Sequence, residues 1–239
     1  MVAIAMDRAG KPVMTASFSE RVGNYADPQS IGSLLRRRLA EALVSLITRT
    51  HREKAKCSIL DLGGTEVYWR IFDRSFLHRM GCRITLLNLQ GDAVADHALF
   101  EYRRGDALAV ESDDNAFDIV HSNSVIEHLG GWPRMQRFSA EVRRLAPRYL
   151  VQTPNFWFPW EPHFGLPLFQ LLPRPVRASL LMRKRCGFYQ RCPGIAEAVA
   201  AIESVTLLDV RMVRCLFPDA RLVRERLLGV TKSLLAVRD

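Results

Sequence analysis

The feature that most constrains the fold is a short apolar run that ends in two glycines. The segment Cys57-Ser-Ile-Leu-Asp-Leu is followed at once by Gly63 and Gly64. Such a run is typical of a buried central strand that enters a tight turn. Because open α/β sheets bind ligands at the carboxyl ends of their strands, this turn is also the first candidate binding site.

Strand and helix patterns alternate along the rest of the chain. The sequence predicts further strands at 83–89, 99–104, 117–122 and 148–153, and helices at 30–50, 66–79, 93–97, 134–145 and 194–208. Two last strand patterns, at 221–228 and 231–237, are separated only by Gly229-Val230 and predict an antiparallel hairpin. The alternation predicts an α/β fold with a parallel sheet covered by helices on both faces.

Residues 154–193 interrupt this alternation. They contain seven prolines and the aromatic run Phe156-Trp157-Phe158-Pro159-Trp160. A segment with this composition is not one regular element, so we interpret it as a lid or acceptor-binding insertion after the fifth strand.

The charge and cysteine content narrow the class of protein. The net charge is +9, and residues 174–191 carry six Lys or Arg and no acid. This basic stretch is either a solvated helix face or a surface for an anionic partner or membrane.

The five cysteines form no Cys-x-x-Cys pair, no signal peptide is recognised at the start, and no transmembrane segment is predicted. We therefore expect a cytoplasmic protein, with peripheral contact at the inner membrane surface through residues 164–191 as an open alternative.

The glycine turn does not suit a dinucleotide. In the pattern G-x-G-x-x-G its glycine positions read Gly63, Thr65 and Tyr68, and Glu66 places a carboxylate where a pyrophosphate would dock. The sequence contains no P-loop either. A positively charged nucleoside without phosphates suits the turn better, because Asp61 can hold an ammonium group and glycines allow close approach.

In this turn and in later motifs the sequence resembles the class I S-adenosylmethionine-dependent methyltransferases, particularly the type 11 small-molecule group. The resemblance covers residues 50–239. It implies S-adenosylmethionine as the cofactor and a Rossmann-like, doubly wound, mostly parallel seven-stranded sheet with an antiparallel C-terminal hairpin. The implied domains are an N-terminal helical extension, 1–50, and a methyltransferase domain, 51–239. The implied cofactor-binding residues are Asp61, Gly63, Gly64 and Thr65 for the methionine part, Asn88 and Leu89 for the ribose, Asp106 and Ala107 for the adenine, and Ser122 and Asn123 after the fourth strand.

Candidate catalytic residues follow the fourth and fifth strands. His163 and Glu161 flank a proline in the insertion, and His128 follows Glu127 in the turn after the fourth strand. Such groups can remove a proton from an acceptor hydroxyl. His121 lies inside a strand and is expected to be a packed histidine. No histidine pair has a ligand spacing such as H-x-x-x-H, so no metal site is predicted.

The leading hypothesis is methyl transfer to a small-molecule or lipid/glycan-linked acceptor, most simply at oxygen. An RNA or DNA methyltransferase is a second hypothesis, suggested by the charge. Against it, the segment Ser122-Asn123-Ser124-Val125 lacks the Asn/Asp-Pro-Pro-aromatic motif. A non-catalytic interaction protein is a third, because Thr65 stands where many relatives have glycine and Asn88 where they have an acid.

Overall fold

The computed structural model describes residues 31–90 and 96–239, with residues 31–39 described by their backbone. The seven strands of the main sheet are β1 (Cys57–Leu62), β2 (Cys82–Asn88), β3 (Phe100–Arg104), β4 (Ile119–Asn123), β5 (Arg148–Pro154), β8 (Arg221–Leu227) and β9 (Val230–Arg238). The helices are α1 (Ile31–Lys54), α2 (Glu66–Trp69), α3 (Arg74–Arg79), α4 (Trp132–Leu145), α5 (Arg174–Arg183), α6 (Ile195–Glu203) and α7 (Val210–Leu216).

The strand order is β3-β2-β1-β4-β5-β9-β8. The first five strands are parallel, and β9 is antiparallel to both β5 and β8. The predicted α/β fold, with its mostly parallel seven-stranded sheet and C-terminal hairpin, is therefore confirmed. Because the order reverses between β1 and β4, the carboxyl ends of these two strands form the crevice where this architecture binds ligands.

Alternate side chains of β1 enter two hydrophobic clusters, one on each face of the sheet. Leu60 and Leu62 pack with residues of α4 and α7, whereas Ile59 packs with residues of α1 and α2. Burying one such side chain fully stabilises the fold by about 1.5–3 kcal/mol. This burial on both faces explains why β1 is an almost continuous apolar run.

The helix α1 is part of the packing of this sheet. Leu43, Leu46 and Ile47 are buried in the same cluster as Ile59 of β1. The helix continues to Lys54, so the predicted boundary at residue 50 falls inside a helix.

Two local predictions differ from the structure, and one helix was not predicted. The predicted helix at 66–79 is two short helices, α2 and α3, because Asp73 accepts a hydrogen bond from the Ser75 amide and begins a new helix. The predicted helix at 194–208 ends at Glu203. A further helix, α7, begins where Asp209 caps the Arg211 and Met212 amides.

One further prediction changes at a turn, and another lies largely outside the described residues. The hairpin turn between β8 and β9 is Leu228-Gly229, not Gly229-Val230, and both turn residues have positive φ, as in a type I′ turn. The predicted helix at 93–97 lies largely outside the described residues, since 91–95 are not described and His97 is in a turn.

The insertion after β5 has a hydrophobic cluster of its own. It contains the two-stranded ladder of β6 (Trp160–Glu161) and β7 (Leu166–Pro167), followed by a 3-10 turn and α5. Phe164 and Phe169 stack, and both belong to a cluster with α5 and α6. The insertion is thus held in place by packing as well as by its attachment to β5. No helix of the described residues is long and apolar enough to cross a bilayer.

Asp118 joins α1, β1 and the start of β4. Its carboxylate accepts hydrogen bonds from the Ser58 amide and hydroxyl, both at 2.8 Å, and from the Lys54 ammonium group. Burial alone would raise the pKa of Asp118, but these donors together outweigh burial and hold that pKa below its ordinary value.

We expect Asp118→Asn to lower the free energy of unfolding by about 1–3 kcal/mol near neutral pH, because it removes a buried, hydrogen-bonded charge. The ionised form stabilises the fold above the unfolded pKa of roughly 3.9, and this contribution is lost as pH falls through the lower folded pKa. Urea unfolding at pH 7 and pH 3 measures both effects. The exposed Asp113 supplies the control variant Asp113→Asn, and equal losses in the two variants would contradict the assignment.

Candidate functional site

The turn after β1 allows a very close approach between backbone and side chains. Gly63 has φ +76°, and a Cβ added there would lie 2.6 Å from Val125 Cγ2. A Cβ added to Gly64 would lie 1.7 Å from Asp61 Oδ2. Neither position can therefore carry a larger side chain without displacing its neighbour.

The Asp61 carboxylate at the end of β1 is fully buried and held from two sides. The Trp69 indole donates to Oδ2 at 2.8 Å, and His121 Nδ1 lies 2.7 Å from Oδ1. His121 Nε2 lies 3.1 Å from the Tyr68 hydroxyl. Asp61 and His121 are register partners on the parallel strands β1 and β4, so the sheet itself brings them together. The result is a carboxylate fixed at the crevice between these strands.

A cavity of about 180 Å³ opens at this point. Five of the predicted cofactor-binding residues line it, and three further residues join them. The five are Asp61, Gly63, Gly64, Thr65 and Asn123, and the three are Val67, Tyr68 and His121.

The other predicted cofactor-binding residues do not line this cavity. Asn88 donates from Nδ2 to the Gly64 carbonyl at 2.6 Å, which ties the end of β2 to the glycine turn. The Ser122 hydroxyl is buried and donates to the Leu62 carbonyl at 3.0 Å. Asp106 accepts from the Leu108 amide at 2.9 Å, Ala107 packs against the core, and Leu89 is half exposed. Their roles toward a cofactor remain predictions.

The predicted catalytic residues meet in a second, buried group, the His–Glu cluster, which consists of Glu127, His128, Glu161 and His163. His163 Nδ1 lies 2.7 Å from Glu161 Oε1, and its Nε2 lies 4.0 Å from Glu127 Oε1. Glu161 Oε2 accepts the Phe164 amide. The His128 and His163 rings are edge to face at 4.8 Å. The structure thus brings the three catalytic candidates His163, Glu161 and His128 together.

Burial and mutual charge set the protonation of this cluster. Burial raises the pKa of Glu127 to about 7, against the opposing charge of His163. Burial, with His163 beside it, lowers the pKa of His128 to about 4. For His163, burial is outweighed by the Glu161 carboxylate, so its pKa is raised. At neutral pH His128 is therefore uncharged.

A larger cavity, of about 330 Å³, adjoins the His–Glu cluster through Glu161 and is called the insertion cavity here. Its lining combines aromatic and aliphatic side chains with two arginines. The lining residues are Phe156, Glu161, Phe164, Phe169, Gln170, Arg174, Arg177, Ile202, Glu203, Val205, Thr206 and Leu207. A site of this volume and composition can hold a small organic molecule.

Sequence reasoning gave His121 only a packing role and omitted Tyr68, Trp69 and Arg177. His121 is packed, yet it also lines the smaller cavity. His121 is the register partner of Asp61 on the neighbouring strand β4, and aligning the two predicted strands could have indicated this contact. For Trp69 and Tyr68 no such signal exists, because their positions depend on the short helix α2 ending where it does.

The chain is similar to known methyltransferases in part of its sequence and in its fold. Residues 60–148 match a family described as a methyltransferase domain. The magnesium protoporphyrin IX methyltransferase of Synechocystis PCC 6803, solved with bound S-adenosylhomocysteine, is 11% identical and has a TM-score of 0.52 over 95% of this chain and 90% of that one. A search of curated protein sequences gives no significant match.

Two further solved methyltransferase structures are similar to this chain with TM-scores below 0.5. Geranyl diphosphate methyltransferase in complex with S-adenosylmethionine is 14% identical, with a TM-score of 0.45 over 91% of this chain and 94% of that one. A proposed sarcosine dimethylglycine methyltransferase from Galdieria sulphuraria is 19% identical over 51% of this chain, with a TM-score of 0.35. The match spans 44% of that protein's length.

Residues 60–148 therefore contain a methyltransferase domain, and the described residues share the fold of a methyltransferase of known structure. A methyltransferase domain indicates methyl transfer with S-adenosylmethionine as the donor. The match does not identify the acceptor.

The residues around the smaller cavity fit this cofactor. Trp69 and His121 use two of the roughly four acceptor positions of the Asp61 carboxylate, which leaves capacity for an ammonium group. The absence of a side chain at Gly64 leaves room for the carboxylate at this point. The cavity of about 180 Å³ is smaller than the roughly 300–1,000 Å³ of complete ligand sites. It therefore suits one part of the cofactor, the charged methionine end.

Proposed function

We propose that this methyltransferase acts on an oxygen of a small-molecule or lipid-linked acceptor that carries an anionic group. The observation that carries the proposal is the insertion cavity, whose wall includes both Glu161 of the His–Glu cluster and Arg177. Its apolar lining suits the body of an organic acceptor, and its arginines suit a carboxylate or phosphate.

Arg177 provides the strongest support for an anionic acceptor. Its Nε is buried and has no hydrogen-bond partner among the described residues. Burial, with Arg174 nearby, lowers the pKa of Arg177. Arg174 differs, since it already pairs with Glu203. A buried donor without a partner is costly, and an acceptor anion would remove that cost.

When bound, S-adenosylmethionine supplies an electrophilic methyl group on a sulfonium sulfur. An acceptor hydroxyl that gains this methyl group forms a new O–C bond as the S–C bond breaks and S-adenosylhomocysteine leaves, and the hydroxyl must lose its proton. We assign removal of that proton to the His–Glu cluster, in which His163, Glu161 and His128 are the catalytic candidates. In this proposal the cofactor is held by Asp61, Gly63, Gly64, Thr65 and Asn123. The insertion orients the acceptor, and this orientation contributes more to the rate of methyl transfer than removal of the proton does.

Turnover tests this proposal through Arg177→Gln. Release of S-adenosylhomocysteine is measured with a panel of hydroxylated aromatic and isoprenoid acceptors, each with and without a carboxylate or phosphate. We expect anionic acceptors to react and Arg177→Gln to raise their KM by roughly 10–100-fold, since a charged hydrogen bond contributes about 1.5–3 kcal/mol. The control is Arg183→Gln, an exposed arginine on the same helix. Equal effects of the two substitutions, or turnover only of neutral acceptors, would contradict the proposal.

A lipid-linked acceptor is supported by the surface of the insertion. Leu168, Leu171, Val176 and Phe188 are all at least 45% exposed, although the insertion has its own core. The same stretch carries six basic residues between 174 and 191 and no acid. Exposed apolar side chains beside basic ones favour contact with an anionic bilayer.

Vesicle sedimentation tests the membrane contact separately. We expect the full chain to sediment with phosphatidylcholine vesicles only when they also contain phosphatidylserine, and to be released by salt. Phe188→Ser should weaken this binding because Phe188 is 62% exposed on the insertion. Leu228→Ser, in the exposed turn of the hairpin, is the matched control. Sedimentation that is independent of charge, or that both substitutions weaken alike, would exclude a specific contact through the insertion.

A further inference from the structure

Three side chains of the His–Glu cluster have the composition of a metal site. Glu127 and His128 lie on the 3-10 turn after β4, and His163 lies in the insertion. Each offers one ligand atom, and these atoms lie within 4.8 Å of one another. We infer that Glu127, His128 and His163 form a binding site for a divalent transition-metal ion of the zinc class.

Both histidines are held so that the same ring nitrogen is free for a metal. His128 Nδ1 lies 3.1 Å from the Ser204 carbonyl, which can only accept, so Nδ1 carries the proton and Nε2 keeps its lone pair. His163 Nδ1 lies 2.7 Å from the Glu161 carboxylate, which likewise leaves Nε2 for the metal. A histidine whose second nitrogen donates to a carbonyl or carboxylate is the usual arrangement in metal sites.

Glu127 supplies the independent observation that favours a bound cation. The side chain is fully buried, and its Oε2 accepts a hydrogen bond from the Thr153 hydroxyl at 2.9 Å. Its Oε1 has no hydrogen-bond partner among the described residues and lies 4.0 Å from His163 Nε2. A buried carboxylate oxygen without a partner is destabilising, and a cation at this point would provide the missing partner.

The distances require only a modest contraction of the cluster. With zinc–nitrogen bonds of roughly 2.0–2.1 Å, two tetrahedral ligands are about 3.3 Å apart. The three atoms lie within 4.8 Å of one another, so the most distant pair must close by up to about 1.5 Å. The inference therefore requires the ligand side chains to rotate toward a common point.

The donor set selects the class of metal. Two imidazoles and one carboxylate suit zinc and neighbouring transition metals, whereas calcium and magnesium prefer oxygen ligands alone. Three protein ligands leave one tetrahedral position for water or an acceptor oxygen. Binding of the metal is independent of the acceptor. A bound metal would occupy Nε2 of both histidines and would replace their part in proton removal by lowering the pKa of a coordinated hydroxyl, a role that rests on the proposed function.

Metal titration of the full chain tests the site. After treatment with a chelator and its removal, Co²⁺ is added and the visible ligand-field absorption is followed. Zn²⁺ affinity is then measured in competition with a chromophoric chelator. We expect one Co²⁺ per chain with tetrahedral bands. Glu161→Gln should weaken Zn²⁺ binding by roughly 10–100-fold, the range found when an outer partner of a ligand is lost.

The ligand variants Glu127→Gln and His163→Asn should weaken Zn²⁺ binding more than Glu161→Gln does. In Glu127→Gln the amide oxygen can still accept the hydrogen bond from Thr153. We therefore expect this variant to fold, which circular dichroism verifies. His78→Gln, which removes a half-exposed histidine of α3, should leave affinity unchanged. Absence of the Co²⁺ bands, or equal Zn²⁺ affinity in the parent and Glu127→Gln, would overturn the inference. A failure of every acceptor to be methylated would refute the proposed function and leave the metal result intact.

Discussion

The structure of the cofactor region depends on one buried carboxylate, that of Asp61. Its two oxygens join three elements, because one accepts the Trp69 indole of α2 and the other contacts His121 of β4. Removing the carboxylate would leave two buried polar groups without partners, at a cost of about 1–3 kcal/mol each. The same carboxylate faces the cavity at the switch point of the sheet. Stability and the proposed recognition of the cofactor therefore use the same group, and Gly64 must lack a side chain for both.

The His–Glu cluster is a second buried polar group, and it lies after the ends of β4 and β5. Glu127 follows the turn after β4, and its carboxylate accepts the hydroxyl of Thr153 from β5. The insertion then adds Glu161 and His163 to this pair. The sheet supplies one half of the His–Glu cluster and the insertion supplies the other. Because Glu161 also lines the insertion cavity, the cluster lies between the methyltransferase core and the proposed acceptor site.

Much of the fold could be predicted because the sheet follows simple patterns. The strand β1 was predicted with its exact bounds, since a continuous apolar run before two glycines has few alternatives. The break between α2 and α3 was not, although Asp73 before Ser75 is a capping signal within an apparently continuous helical pattern. Asp209, which begins α7, is a second capping signal of this kind.

The site was predictable where a motif lies in one segment and not where it combines several. Gly63, Gly64 and Asp61 follow one another, and all three line the cavity as expected. A search for histidine spacing finds no metal site, because Glu127 and His128 lie in one segment and His163 in another. Only the packing of the insertion against the end of the sheet brings these ligand atoms together. Arg177 likewise could not be distinguished within its run of basic residues, because the sequence does not show that its Nε is buried.

The most direct test of the account is a calorimetric titration of the full chain with S-adenosylhomocysteine, comparing the parent with Gly64→Ala. The account predicts one-to-one binding by the parent and a loss of at least about tenfold, roughly 1.4 kcal/mol, in the variant, because the added methyl group would displace the Asp61 carboxylate. Gly131→Ala is the control, since its added Cβ would lie 3.8 Å from Pro133 in ordinary contact. Absence of binding by the parent, or equal binding by the parent and Gly64→Ala, would contradict a cofactor site at this turn.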